Sequence, residues 1–151
     1  MDPIEFRDGM LAYLADHSVT ARAAEGESGS GMQYGIITRT PSGGEAWWQL
    51  AARSTPSGAR TDLPELDTAP ALPDSGAVQV ADLELVLAHA ARAAGASTVE
   101  RYSTREKVPS LKYGVHAEFP DQTAVFVQLH WSLRPGEEPR ESNRYEPRDS
   151  I

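Results

Sequence analysis

The sequence predicts an α+β fold made of two tandem αβββ units, each with one helix and three antiparallel strands. Three observations carry that expectation. Residues 34–50, YGIITRTPSGGEAWWQL, and residues 113–129, YGVHAEFPDQTAVFVQL, repeat one another at an offset of 79. An apolar stripe at helical period precedes each copy. Within each copy, apolar and polar residues alternate on either side of a turn containing proline. The offset also holds without a gap outside the two copies. It pairs Glu5 with Glu84, Ala12 with Ala91, Arg22 with Arg101, Gly35 with Gly114, Gln49 with Gln128 and Leu50 with Leu129. So long a period fits one duplicated unit rather than a solenoid array.

The first unit spans residues 1–53. Asp2-Pro3 marks a helix start, because proline is tolerated where the first N–H groups have no partner. Ile4, Phe6, Met10, Leu11 and Leu14 supply the apolar stripe. Residues 19–24 read as a strand, GESGSG at 26–31 as a flexible connector, and residues 32–40 as a second strand. PSGG makes the turn into a return strand over 46–53. Residues 54–79 carry little periodicity and many prolines, which marks a linker.

The second unit spans residues 80–133. Asp82 can cap a helix with core positions Leu83, Val86, Leu87, Ala90 and Ala94, ended by Gly95. Strands follow over 97–103, 112–119 and 124–133, the last two joined by the turn PDQT. Residues 134–151 are polar and rich in proline, and are expected to form a disordered tail. The residues do not decide between one continuous sheet and two packed sheets. In topology alone, such units resemble small bacterial adaptor folds, among them secretion chaperones and toxin-immunity proteins. A resemblance of that kind says nothing about chemistry.

Composition narrows the function classes. The chain has 151 residues, enough for one domain with a real core, and is 40% hydrophobic. Its net charge of −8 disfavours both a phosphate backbone and an anionic membrane surface. RYSTREK at 101–107 is the one basic cluster, and it reads as a solvated strand edge. Cysteine is absent, so disulfides and thiolate metal sites are excluded. The acidic N-terminus does not resemble a signal peptide, and no apolar run is long enough to span a bilayer. The expectation is a cytoplasmic protein. Twelve Arg against two Lys, with many Ala, Gly and Pro, fits a bacterial source.

No catalytic pattern emerges. GESGSG lacks the Lys-Ser/Thr pair and the spacing of a phosphate loop, and it would lead into a strand. It also lacks the spacing of a nucleophile elbow. His17, His89, His116 and His130 are scattered, and no third ligand joins His116 and His130. Neither a metal nor a cofactor is expected.

Strand alternation divides the hairpins into two faces. Val125, Val127, Leu129, Trp131 and Leu133 are expected on the core face, with Ala46, Trp48, Leu50 and Ala52. The opposite face is expected to carry Ile37, Arg39, Trp47, Gln49, His116, Phe126, Gln128, His130 and Ser132. One helix per unit covers only one face of the sheet, so this second face needs solvent, the linker or a partner. Its mixture of apolar rings, Arg and amides is what interaction surfaces contain. The leading expectation is a non-enzymatic binding or adaptor protein. It would use Trp47, Phe126, Gln49, Gln128, Ile37, Arg39, His116 and His130 toward a protein partner or a second copy. The alternative is a small-ligand or enzymatic domain, with a pocket between the sheet and the 54–79 segment using His116, His130 and Gln128.

Overall fold

The structure is a computed structural model, and it describes residues 1–25, 32–54, 63 and 65–151. The connector expected at 26–31 and most of the first part of the linker lie outside the described residues.

The first helix, α1 (Pro3–Asp16), begins as its sequence dictates. The Asp2 carboxylate accepts from the Ile4 N–H at 2.7 Å, and Pro3 occupies the first turn. Phe6, Met10 and Leu14, four residues apart, form its buried stripe, whereas Ile4 is exposed. Three strands follow: β1 (Thr20–Ala23), β2 (Gly35–Arg39) and β3 (Glu45–Ser54). The second helix, α2 (Val80–Ala93), starts two residues before the expected Asp82 cap, with Gln79 as its N-cap. The remaining strands are β4 (Thr98–Arg101), β5 (Gly114–Glu118) and β6 (Thr123–Leu133). The strand expected over 97–103 breaks early, because Tyr102–Thr104 form a 3-10 turn.

The six strands among the described residues form one antiparallel sheet in the order β1-β2-β3-β6-β5-β4. The long strands β3 and β6 pair down its middle. Both helices lie on one face. Phe6, Met10 and Leu14 of α1 and Leu83, Val86, Leu87 and Ala90 of α2 share a core with Ile36, Trp48, Leu50, Val115, Val125, Val127 and Leu129.

One expectation about the faces fails at a single residue. Leu129 pairs with Trp48, but Trp131 pairs with Trp47, so His130 is an extra residue in the ladder. A β-bulge of this kind reverses side-chain alternation beyond it. Trp131 and Leu133 therefore leave the helix side and join Ile37, Trp47, Ala24 and Met32 in a second apolar cluster. Ser132, placed by alternation on the second face, sits opposite Ala46 on the helix side and is buried.

Residues 134–151, expected to form a disordered tail, lie along the edge of the sheet. β5 begins at Gly114, opposite Gln128, and Leu129 still donates to the Tyr113 carbonyl, so β6 outruns β5 and leaves an open edge over residues 130–133. An open edge offers backbone groups that need partners. The tail supplies them: the Tyr145 N–H donates to the His130 carbonyl at 2.8 Å. The Ser132 hydroxyl accepts from the Arg148 N–H at 2.9 Å and donates to the Glu146 carbonyl at 3.2 Å. Farther on, Val78 and Ile151 exchange backbone hydrogen bonds of 2.7 and 3.0 Å, and Ile151 is buried in the main core. Asp149 accepts from the Tyr113 hydroxyl and pairs with Lys112. Composition hid this path because it rests on backbone pairing, the Lys112–Asp149 ion pair and a single aliphatic anchor.

Glu84 is the least expected core residue. Its counterpart Glu5 is exposed at a helix start, but Glu84 has no exposed surface. Its carboxylate accepts from Arg101 Nε at 2.9 Å and from the backbone N–H groups of Gly114 at 2.9 Å and Ser103 at 3.2 Å. The clamp ties α2 to β4, the 3-10 turn and β5. A buried charge of this kind persists only when paired and hydrogen-bonded.

Candidate partner-binding face

The face away from the helices has two ends of different character. At the end formed by β2, β3 and the last part of β6, Ile37 and Trp47 are buried. Trp47 meets Trp131 edge to face, with ring centres 5.6 Å apart. The tail lies over Trp131: its indole N–H donates to the Arg140 carbonyl at 2.8 Å, and the Arg144 guanidinium sits 4.8 Å above its ring. Arg39 is exposed at the tip of β2, 3.8 Å from the Glu45 carboxylate, which also accepts from Arg22 at 3.0 Å. Gln49 is occupied structurally, donating to the carbonyls of Tyr34 at 2.7 Å and Leu50 at 2.9 Å.

His130 belongs to neither open surface. It is buried at the bulge, where Nδ1 accepts from Arg144 at 2.8 Å and Tyr145 packs edge-on against the ring. Burial, then the nearby Arg144 charge, pushes its pKa down to about 4. His116 pairs with Phe126, four residues before His130 on β6, so the two histidines do not converge. Among the described residues no group of three or more His, Asp or Glu could hold a metal ion.

The other end stays partly open. Phe126 and Gln128 of β6 lie beside Ala51 and Arg53 of β3 and His116 of β5. His116 stacks on Phe126 with ring centres 4.6 Å apart, and its Nε2 lies 3.6 Å from the Glu118 carboxylate. The Arg53 guanidinium covers the same phenyl ring at 5.5 Å. Next to them lies an open depression of about 210 Å³, bordered by Tyr102, Arg105, Pro109 and Leu111.

Tyr102 reaches this face because Gly114 lacks a side chain. A Cβ at Gly114 would stand 2.6 Å from the Tyr102 ring and 2.6 Å from the Val127 carbonyl oxygen. Burial raises the Tyr102 hydroxyl above its ordinary pKa, and its hydrogen bond with the Gln128 side chain works against that rise. Arg105 stacks over the Tyr102 ring at 4.4 Å and pairs with Glu100. Sequence reading missed Tyr102, Arg105, Pro109 and Leu111 as site residues. The basic cluster at 101–107, interrupted by an aromatic, was a signal for Tyr102 and Arg105, and nothing marked Pro109 and Leu111.

Only part of the 54–79 segment, expected to form a pocket with the sheet, is among the described residues. Its described part packs on the helix side, where Leu66 and Leu72 meet the main core and the Asp67 carbonyl lies 2.6 Å from His89 Nε2. That described part borders no cavity shared with His116, His130 or Gln128. No helix among the described residues is long and apolar enough to cross a membrane. Comparison with family models, curated proteins and solved structures gave no match.

Proposed function

We propose that the chain is a non-enzymatic binding protein whose working surface is the Phe126 end of the second sheet face, and that it engages a protein partner or a second copy. One observation carries the reading. Phe126 is a half-buried aromatic framed by Arg53, His116 and Gln128, while the Trp47 end is closed by the chain's own residues. Aromatic and Arg side chains anchored in a partly desolvated setting dominate protein interfaces. Half-buried anchors also lose little rotamer freedom on docking.

We also propose that the two units descend from one duplicated ancestor. In support, Gly35 pairs with Gln49 and Gly114 pairs with Gln128, while Gln49 and Gln128 pair across the sheet centre. The Leu50 N–H donates to the Tyr34 carbonyl at 2.9 Å, and its counterpart Leu129 donates to the Tyr113 carbonyl at 3.3 Å.

The test places a photo-crosslinking amino acid at position 126 and irradiates the protein in cells of its source. The expected result is one discrete adduct, a homodimer or a complex with a single polypeptide, that disappears with Arg53→Glu. A crosslinker replacing the exposed Ala12 on α1 serves as the control site. Diffuse labelling equal at positions 126 and 12, or an adduct indifferent to Arg53→Glu, would overturn the reading.

A further inference from the structure

On the opposite side of the molecule, the main core opens into a cavity of about 340 Å³ between the end of α1, the start of α2 and the proline-rich segment 69–74. We infer that this cavity is a binding site for a small, largely apolar molecule carrying at most one charged or polar head group. The inference does not depend on the sheet-face reading, since Phe126, Arg53, His116 and Gln128 do not line this cavity.

The volume falls within the range of small-molecule sites, roughly 300–1,000 Å³. Val78, Leu83 and Val86 give it a buried apolar floor. Tyr13 and His17, stacked with ring centres 3.9 Å apart, add a flat aromatic wall. Its two charged lining residues, Arg39 and Asp74, are both exposed, so charge is confined to the mouth. A neutral floor makes a multiply charged ligand too costly to desolvate. An apolar body below and a single polar head at the mouth match the lining.

The outer wall is built to hold its shape. Pro70 and Pro73 fix their backbone angles, so the segment between them resists collapse onto the floor. Both flanks are pinned. The Asp67 carbonyl meets His89, and Ser42 and Gly76 exchange hydrogen bonds of 2.9 and 3.1 Å. A preformed site avoids the ordering cost that a loop would otherwise incur on binding.

The test is fluorescence titration with anilinonaphthalene sulfonate, a molecule of two ring systems and one anionic head, with amide chemical shifts recorded in parallel. The expected result is a saturable single-site enhancement, with shifts concentrated at Val19, Thr20, Leu72 and Leu83. Thr20→Trp, which puts a large ring at the exposed mouth, is expected to weaken binding at least about tenfold, a loss of about 1.4 kcal/mol, without changing the melting curve. If that variant fails to fold, Ala71→Trp on the exposed outer wall makes the same test. Phe126→Ala is expected to leave the titration unchanged. Non-saturable binding, shifts centred on the Phe126 face, or wild-type affinity in a folded mouth-blocking variant would each overturn the inference.

Discussion

His130 makes the folded state sensitive to mild acid, and the size of the effect follows from its surroundings. Its ring is buried at the bulge with Arg144 donating to Nδ1, so the native protein holds it neutral down to a pKa of about 4, below the ordinary 6.5. The unfolded chain has no such restraint. Between pH 6.5 and 4 the unfolded state therefore binds a proton that the native state does not, and stability falls as pH falls through that window. The loss comes to about 2 kcal/mol between pH 7 and pH 5, and to about 3 kcal/mol once complete near pH 4. For a chain of this length, a loss of about 2 kcal/mol lowers the melting temperature by about 4–8 °C. Glu137 and Asp149 also titrate below their ordinary values, through hydrogen bonds with Arg148 and Lys112 respectively. Their stabilisation is lost only below the ordinary carboxylate range, which leaves pH 5–7 to histidine. Urea unfolding followed by tryptophan fluorescence at pH 7, 6 and 5 measures the effect. His130→Asn keeps an acceptor for Arg144 and removes the titration, so its stability is expected to lack the His130 share of the slope. Parallel curves for the two proteins from pH 7 to 5 would refute the placement of His130 as a buried neutral ring.

Two further perturbations test the supports of the sheet. Glu84→Ala leaves Arg101 and two backbone N–H groups without their acceptor, and is expected to cost about 3–5 kcal/mol in chemical denaturation; a cost below about 1 kcal/mol would mean that water reaches the clamp. Gly114→Ala forces a methyl group against the Tyr102 ring and the Val127 carbonyl, and is expected to cost about 1–3 kcal/mol or more. Part of that cost should return in a Tyr102→Ala background, and the share owed to the Val127 oxygen should not. Full additivity of the two substitutions would show that Tyr102 does not lie over Gly114.

The parts of the fold that were legible were those written in periodicity. Four-residue spacing of Phe6, Met10 and Leu14 placed α1, and alternation through Trp48, Leu50, Val125 and Val127 placed the helix-facing side of the sheet. What escaped depends on contacts distant in sequence. Glu84 reads as an ordinary acid in the first turns of a helix until Arg101 and the Gly114 N–H are brought to it. The tail reads as disordered until the overhang of β6 beyond β5 presents it with unpaired backbone. Tyr102 reads as a strand residue, and only the missing side chain of Gly114 lets its ring lie across the sheet. Alternation also carries no mark of a bulge, since His130 is as acceptable in a regular strand as in an irregular one.

That single extra residue has the largest consequence for the proposed function. With regular alternation, Trp131 and Leu133 would be core residues, and Trp47 would stand on an open face as a natural anchor for a partner. The bulge instead puts Trp131 and Leu133 beside Trp47 and Ile37, an apolar group large enough that leaving it in water would invite association. The tail covers the Trp131 part of this group through Arg140 and Arg144, and its own residues stay largely exposed. Trp47 thereby changes from a candidate contact into packing, and its replacement by Ala reports on stability rather than on recognition. In the proposed reading, docking falls to the stretch of β6 before the bulge, where alternation remains regular and Phe126 stays half-buried beside Arg53.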